Sequence, residues 1–469
     1  MKKYILLAVD LIISFICMII LKNLNIIPLK YFLLIILIML ILNALVFLCL
    51  FFKKKILKVI SIILSVIIIA ISVLGIKYGQ ETNNFLDKAF NNNTKEITRY
   101  NLVVLKDSSY EELKDLKNKK VGHLSNDENT DKYQEKIDKI VELKYSDYED
   151  LYDLYEHLIE EKLDAILINE AYLDVLAEDN KDLDDKVESI YSLSIETKKA
   201  KTDSDIEELK PINIYISGSD SRSTDIRDKS RSDVNMIVTI NPQTKEILMT
   251  SIPRDYYVQV HNQTGLKDKL THSGIYGLDT TVKTVEDLFD IKIDYSIKIG
   301  FEAVVELVDL VDGIDVYSDK TFNSYHIKGW VVNKGVNHFN GKQALAYSRE
   351  RYAYKSGDRH RIQNQQQVLE ATLKKIMKDK TILLKYDELL TSLSKLYITD
   401  IPKDLISLFV KEQLSTMDTW TFDSIWVNGS NASLPTHTAP NSKRYVMIPY
   451  DEEVEEASNK IKKLLNKTL

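Results

Sequence analysis

At 469 residues the chain has room for two or three domains, and its formal net charge of −7 offers no broad basic surface of the kind general nucleic-acid binding needs. The charge is unevenly spread: residues 1–80 hold nine Lys and one Asp, a net of +8, while the remaining 53 basic and 68 acidic residues net −15. Both cysteines, Cys17 and Cys49, fall in the N-terminal part, which excludes a disulfide framework or zinc–thiolate site from the rest.

Three apolar runs, at residues 4–21, 31–52 and 56–76, each approach or reach the ~20 residues that span a bilayer. One run follows another and no small-residue cleavage site stands out, so a cleaved signal peptide fits poorly. Lys2 and Lys3 precede the first run, and Lys53, Lys54, Lys55 and Lys58 separate the second from the third. By the positive-inside rule the N-terminus and second loop are cytoplasmic, and everything after Lys77 is extracellular. Asp10, near the cytoplasmic end of the first span, reads as a snorkelling or partnered acid.

Residues 81–98 read as a polar linker. From residue 99 to 196, strand-like runs such as NLVVL alternate with helical ones such as YEDLYDLYEHLIEEK, which predicts a small α/β accessory domain. Parts of it look like fragments of a periplasmic solute-binding fold. Residues 197–210 form a second linker, and residues 211–469 a second α/β domain. There INIYISG is an alternating strand, and VNMIVTI and EILMTSI flank a hairpin signal, NPQTK. Helical patterns follow in TVKTVEDLF, FEAVVELVDLV, GKQALAYSR and HRIQNQQQVLEATLKKIMK, then a strand in WTFDSIWV and a terminal helix. The expected architecture is a mixed central sheet flanked by helices on both faces.

Ten arginines stand against fifty-two lysines, and eight of the ten lie between Arg222 and Arg361. Guanidinium is a rigid, always-charged fork that pairs with phosphate in a bidentate way. Most of these arginines have an Asp or Glu within two or three residues, which points to a site for a metal and a polyphosphate; surface ion pairs are the plain alternative. Asp220 lies just past the strand ending at Gly218, where α/β folds place ligands, and Asp233 immediately precedes the next strand. Two such carboxylates suit a hard divalent cation, although loop aspartates also form turns. Arg349 and Arg351 share no helix face and converge only where YSRER is extended. Asp358, Arg361 and Gln365, at i, i+3 and i+7, line one face of a helix beginning near Gly357, a placement suited to anion binding or to an exposed polar face. No GxSxG or Walker motif occurs. His272 and His360 lie near the motifs and read as structural.

Over residues 210–375 these motifs resemble the LytR-CpsA-Psr family of cell-envelope proteins, with core motifs at 212–375. The opening block is ISGSDSR followed by KSRSDVNMIVTINPQTKEILMTSIPRD. The middle block begins at KLTHSGIYGLDTTVKTVEDLF, and the closing block is NHFNGKQALAYSRERYAYKSGDRHRIQNQQQ. The resemblance implies a magnesium-dependent phosphotransferase outside the cell, with manganese a possible substitute. It would attach a polyprenyl-pyrophosphate-linked glycopolymer, teichoic-acid-like or capsular, to peptidoglycan through a phosphodiester. Its implied partners are that donor, the peptidoglycan acceptor and the membrane, with no nucleic acid.

By the same resemblance Asp220 and Asp233 match magnesium ligands. Arg231, Arg254, Arg349, Arg351, Arg361 and Gln365 match pyrophosphate contacts, and Arg222 a supporting position. Asp358 matches a base for the incoming hydroxyl, with Arg254 and Arg349 assisting catalysis. Asn364 stands where members often carry Arg, and THSGIYG replaces a more usual Asn-Ala-Tyr pattern. Such a site suits phosphoryl transfer, which needs positioning and charge stabilisation more than a covalent nucleophile. A polyprenyl-phosphate sensor without transferase activity and a lipid-pyrophosphate hydrolase remain the alternatives.

Overall fold

The computed structural model describes residues 2–52, 54–91, 95–125, 127, 129–198, 206, 208–219, 225–354, 357–379, 393 and 395–468; the side chains of 2–4, 85–91, 198 and 358 lie outside the description. Three helices, α1 (Lys2–Asn23), α2 (Leu29–Phe51) and α3 (Lys55–Asn91), are long and apolar enough to cross a membrane. Asp10 is fully buried between α1 and α3, where Ser65 Oγ donates to its Oδ1 at 2.7 Å. It is therefore a partnered acid. The stretch 81–98 departs from its expectation as a linker: α3 continues to Asn91 and the first strand starts at Lys95. A helix already nucleated in the apolar run propagates at little cost through ordinary helix formers such as Gln80, Glu81 and Ala89.

A five-stranded sheet follows, formed by β1 (Lys95–Leu105), β2 (Lys120–Leu124), β3 (Lys144–Tyr148), β4 (Ala165–Asn169) and β5 (Val187–Lys198) in the order β3-β2-β4-β1-β5. Its helices are α4 (Thr130–Asp138), α5 (Leu151–Ile159), α6 (Glu170–Asp179) and α7 (Leu183–Lys186). Strand β4 is buried at every residue, and α6 starts directly from it, with Asn169 Oδ1 capping Ala171 N at 3.1 Å. Leu173, Val175 and Leu176 then lock α6 into the core beside Leu151 and Leu158 of α5.

The second sheet begins with β6 (Ile212–Ser219), β7 (Val234–Asn241) and β8 (Glu246–Ile252), the last two joined by the expected hairpin. A ribbon of β9 (Tyr257–Val258) and β10 (Asp268–Lys269) leads through a 3-10 helix at Leu270–Tyr276 into α8 (Leu278–Phe289), β11 (Tyr295–Gly300) and α9 (Phe301–Leu310). Two small ribbons, β12 (Ile314–Ser318) with β15 (Gly335–Phe339) and β13 (Phe322–Asn323) with β14 (Val331–Val332), precede α10 (Gly341–Ser348) and α11 (Asp358–Lys378). Strands β16 (Tyr397–Thr399) and β17 (Thr421–Trp426) close the order β16-β11-β6-β7-β8-β17. A hairpin of β18 (Gly429–Thr436) and β19 (Ala439–Pro449) and a helix at Asp451–Leu465 end the chain.

The pleat of β7 and β8 explains the layering. Ile237 and Leu248 face Val285 and Phe289 of α8 and Ile461 of the terminal helix. Their neighbours Met236, Val238, Ile247 and Met249 face the opposite way, towards Leu369 and Met377 of α11 and Phe409 of a helix at Lys403–Thr416. Parallel pairs (β6–β11, β8–β17) and antiparallel pairs (β6–β7, β7–β8, β11–β16) coexist, so the sheet is mixed with helices on both faces, as the sequence pattern requires.

Candidate active site

The site is built where β6 ends. Asp233 N donates to Gly218 O at 2.8 Å, which sets the start of β7 beside the end of β6. Below it Ser217 and Ser232 share a 2.7 Å hydroxyl contact, as do Ser219 and Ser230. The 3-10 helix closes the other side: Ser232 N donates to Thr271 O at 3.0 Å and Thr271 N to Arg254 O at 2.8 Å. Only glycine fits at Gly274, because a Cβ there would collide with the Ser230 carbonyl.

Arg231, from the loop before β7, and Arg254, just past β8, converge on Asp233. Arg254 Nη1 donates to Asp233 Oδ1 at 2.7 Å, and Arg231 Nη2 lies 3.8 Å from its Oδ2. Burial alone would raise the Asp233 carboxyl, but the Arg231 and Arg254 guanidiniums, with Arg351 adding to them, hold it below the usual carboxylate range. Asp233 is therefore ionised in an almost fully enclosed setting.

A second carboxylate arrives from the other sheet. Glu178, in the last turn of α6, accepts from Arg231 Nη1 at 2.6 Å and from Arg254 Nη2. Desolvation works against its charge, yet Arg254, Arg231 and Lys269 bring it down to about 2. A folded-state value below the ordinary 4.5 means that its stabilising effect is complete above pH 4.5 and lost as pH falls towards 2. Thermal unfolding followed across that acid window should show a loss of stability that Glu178→Gln removes.

The other wall comes from the ends of α10 and α11. Helix α10 stops at Ser348, and Arg351 lies outside regular structure, so the two arginines of YSRER are freed from the opposed faces a continuous helix would impose. Arg349 places its guanidinium 5.3 Å from the centre of the Phe301 ring. Glu350 between them is buried and accepts from Tyr325 N, Tyr352 N and Ala353 N at 2.8–3.1 Å, which anchors the turn. Helix α11 starts at Asp358 after Gly357, whose φ of 52° is a backbone region that favours glycine. Arg361 is buried one turn further along, and Gln365 follows a turn later.

Gln365 opens onto an apolar cavity of about 340 Å³ between the sheet and α9 and α11. Among the described residues it is lined by Ile216, Val234, Met236, Ile299, Phe301, Ala303, Leu307, Val368 and Leu369, with Gly218, Ser348 and Gln365 also lining it. Phe301 thus belongs both to this cavity and to the seat of Arg349. The Arg349 guanidinium sits over a ring of the greasy pocket's lining, and Gly218 and Val234 of that lining flank Asp233, on which Arg231 and Arg254 converge.

The structure brings Arg231, Asp233 and Arg254 into direct contact, with Arg351 acting on Asp233 electrostatically. Gln365 lines the cavity, Arg349 lies over the Phe301 ring of its lining, and Arg361 lies on the same face of α11 as Gln365. Asp220, Arg222 and the Asp358 side chain lie outside the described residues. Two other arginines serve local structure: Arg227 pairs with Asp225 at 2.6 Å, and Arg359 donates to Gly429 O at 3.0 Å. His272 is held by Asp268 at 2.7 Å in a buried pair, and His360 stacks on Tyr354. Sequence reasoning missed Glu178 and Glu350, since neither carries a local signal beyond being one acid among many.

Residues 175–463 match the LytR_cpsA_psr family, and the chain belongs to it. Among curated relatives, the polyisoprenyl-teichoic acid–peptidoglycan teichoic acid transferase TagU of Bacillus licheniformis is 37% identical over 190 residues, 40% of this chain and 60% of that protein. The protein of the same name from Bacillus mycoides is 31% identical over 266 residues, 56% of this chain and 82% of that one. The match to the first therefore spans less than two thirds of its length. A crystal structure of B. subtilis TagV is 29% identical and covers 55% of this chain and 99% of its own, with a TM-score of 0.46.

Proposed function

We propose that this protein is a membrane-anchored phosphotransferase that moves a glycopolymer from a polyprenyl pyrophosphate to peptidoglycan. The observation that carries the reading is the shared border between the arginine cluster and the apolar cavity. A polyprenyl pyrophosphate has this chemistry in one molecule, an apolar chain ending in a dense negative charge. The curated relatives named for teichoic acid transfer to peptidoglycan support the same assignment.

In the proposed reaction the cavity holds the lipid and the guanidiniums of Arg231, Arg254, Arg349, Arg351 and Arg361 hold the pyrophosphate. Asp358 takes the proton of the muramic acid hydroxyl as its oxygen attacks the glycan-bearing phosphorus. A new P–O bond forms to the acceptor, and the bridging P–O bond breaks to release polyprenyl phosphate. Fixed guanidiniums stabilise the charge on that leaving group without rearranging as it develops. Gln365 at the cavity mouth orients the donor.

Magnesium, or manganese in its place, belongs to this proposal. Asp233 is ionised and sits beside the end of β6, from which Asp220 follows two residues after Gly218, so these are the acids that would hold it. When bound, such a cation supplies further charge neutralisation on the pyrophosphate. Asp220→Ala with Asp233→Ala is expected to remove metal-dependent turnover of a lipid-pyrophosphate donor. Undiminished magnesium stimulation in the double variant would take both acids out of the metal site.

The catalytic part is proposed to be extracellular, with the N-terminus cytoplasmic. Lys411 Nζ donates to Asn25 Oδ1 at 2.9 Å, and Lys30 Nζ to Ser415 O at 2.5 Å, so the loop between α1 and α2 and the first turn of α2 touch the same body that follows α3. Three spans demand this, because the first loop and the polypeptide after the third emerge on one side. The direct test incubates the full chain with lipid-linked donor, peptidoglycan and magnesium, and identifies products by mass spectrometry. A phosphodiester-linked polymer is expected; free glycan phosphate would indicate a hydrolase, and an unchanged donor would end the enzymatic reading.

A further inference from the structure

We propose that Glu178 is an internal competitor for the pyrophosphate seat, a carboxylate that α6 presents to Arg231 and Arg254 and that the donor displaces. This rests on the pyrophosphate reading of those arginines. Arg231, Arg254, Asp233 and Glu178 sum to zero formal charge and interlock through contacts of 2.6 Å (Arg231–Glu178), 2.7 Å (Arg254–Asp233) and the Arg254–Glu178 pair. A pyrophosphate on those guanidiniums meets their carboxylates: Asp255, 3.8 Å from Arg254 Nε, keeps Lys269 at 3.5 Å as its own partner, which leaves Asp233 and Glu178 in competition with the pyrophosphate. One of them must yield.

The two acids are not equally able to do so. The Asp233 side chain is 6% exposed and is tied to the β6 edge through its own backbone, whereas that of Glu178 is 29% exposed at the end of a helix. Rotation of one side chain carries Glu178 to water, with the body of α6 fixed by Leu173, Val175 and Leu176.

Docking of the first sheet does not depend on it either. Ile97 N donates to Arg227 O and Lys229 N to Ile97 O, both at 2.8 Å. Asp228 pairs with Arg99, and Asp150 accepts from Asn441 N at 2.9 Å. Glu178 is thus a contact the interface can lose.

The test is calorimetric titration of the full chain, in detergent micelles without added divalent metal, with inorganic pyrophosphate. Glu178→Gln is expected to tighten binding roughly tenfold, a size usual for coupling between sites. Glu178→Asp, which keeps the charge but withdraws it by one methylene, is expected to tighten it as well, and covers the case in which the Gln variant fails to fold. Asp179→Asn removes the same charge from the neighbouring residue, which pairs with Arg444 at 3.2 Å, and is expected to leave binding within about twofold, the effect of a screened surface charge. Unchanged or weaker binding in the Glu178 variants, or equal tightening in Asp179→Asn, overturns the competitor. Absence of pyrophosphate binding in every chain overturns instead the reading on which it rests.

Discussion

Arg254→Ala is expected to cut transfer steeply and to destabilise the fold in the same stroke. The wild-type guanidinium satisfies Asp233 at 2.7 Å and Glu178 beside it, in a residue only 7% exposed. Its removal leaves Asp233 with Arg231 at 3.8 Å as its remaining close cation among the contacts described above. Breaking a buried pair by deleting one partner costs about 3–5 kcal/mol, because the other charge stays enclosed. The rate loses a fixed positive fork facing the leaving phosphate, an effect on the order of 10²–10³ in turnover.

Arg254→Lys separates the two effects. An ammonium retains the charge and recovers much of the stability, but cannot span Asp233 and a phosphate with a planar fork. Thermal unfolding and the transfer assay, run on both variants below their melting temperatures, measure each part. A folded Arg254→Ala chain with wild-type turnover would remove this guanidinium from the chemistry.

Ala303→Phe is expected to act through the lipid. Ala303 is buried on α9 and lines the apolar cavity, so an added ring occupies space that the polyprenyl chain would fill. Burial of a methylene is worth about 0.8 kcal/mol, so a lipid forced out by only two carbons loses about 1.6 kcal/mol, roughly fifteenfold in affinity. The loss should fall on KM for a long-chain donor and spare a donor whose prenyl chain is too short to reach Ala303. Equal effects on both donors would mean that the ring disturbs the site itself, and no effect would place the lipid elsewhere.

Much of the second sheet was legible because its residues alternate. In VNMIVTI and EILMTSI every second side chain goes to a different core, and NPQTK between them is a turn. The arginine bias led to Arg231 and Arg254 because phosphate chemistry restricts residue type, whatever the fold. Glu178 was hidden by distance: it lies 53 residues before Arg231, on a helix of another sheet, in a chain rich in acids. The apolar cavity was hidden for the opposite reason, since Ile216, Met236 and Leu307 read as ordinary core until a space is found between them. The β18–β19 hairpin escaped because GSNASLPT and much of its partner strand are polar and partly exposed, with little apolar periodicity to mark them. The end of α3 escaped because charged helix formers look the same in a linker as in a helix.

The helix at Lys403–Thr416 carries a consequence for how substrate arrives. Ile406 on it lines the apolar cavity, while Lys411, further along the same helix, reaches Asn25 in the loop between the first two spans. One short helix thus joins the greasy pocket to the protein's own anchor. In the proposed topology this helix lies on the outer side of the membrane beside the first loop, which would bring the pocket near the leaflet that holds a long-chain lipid. Severing the anchor would then do more than release the protein from its surface. The freed catalytic part would keep its arginines and its pocket, yet face a substrate that must first be pulled from the membrane into solution.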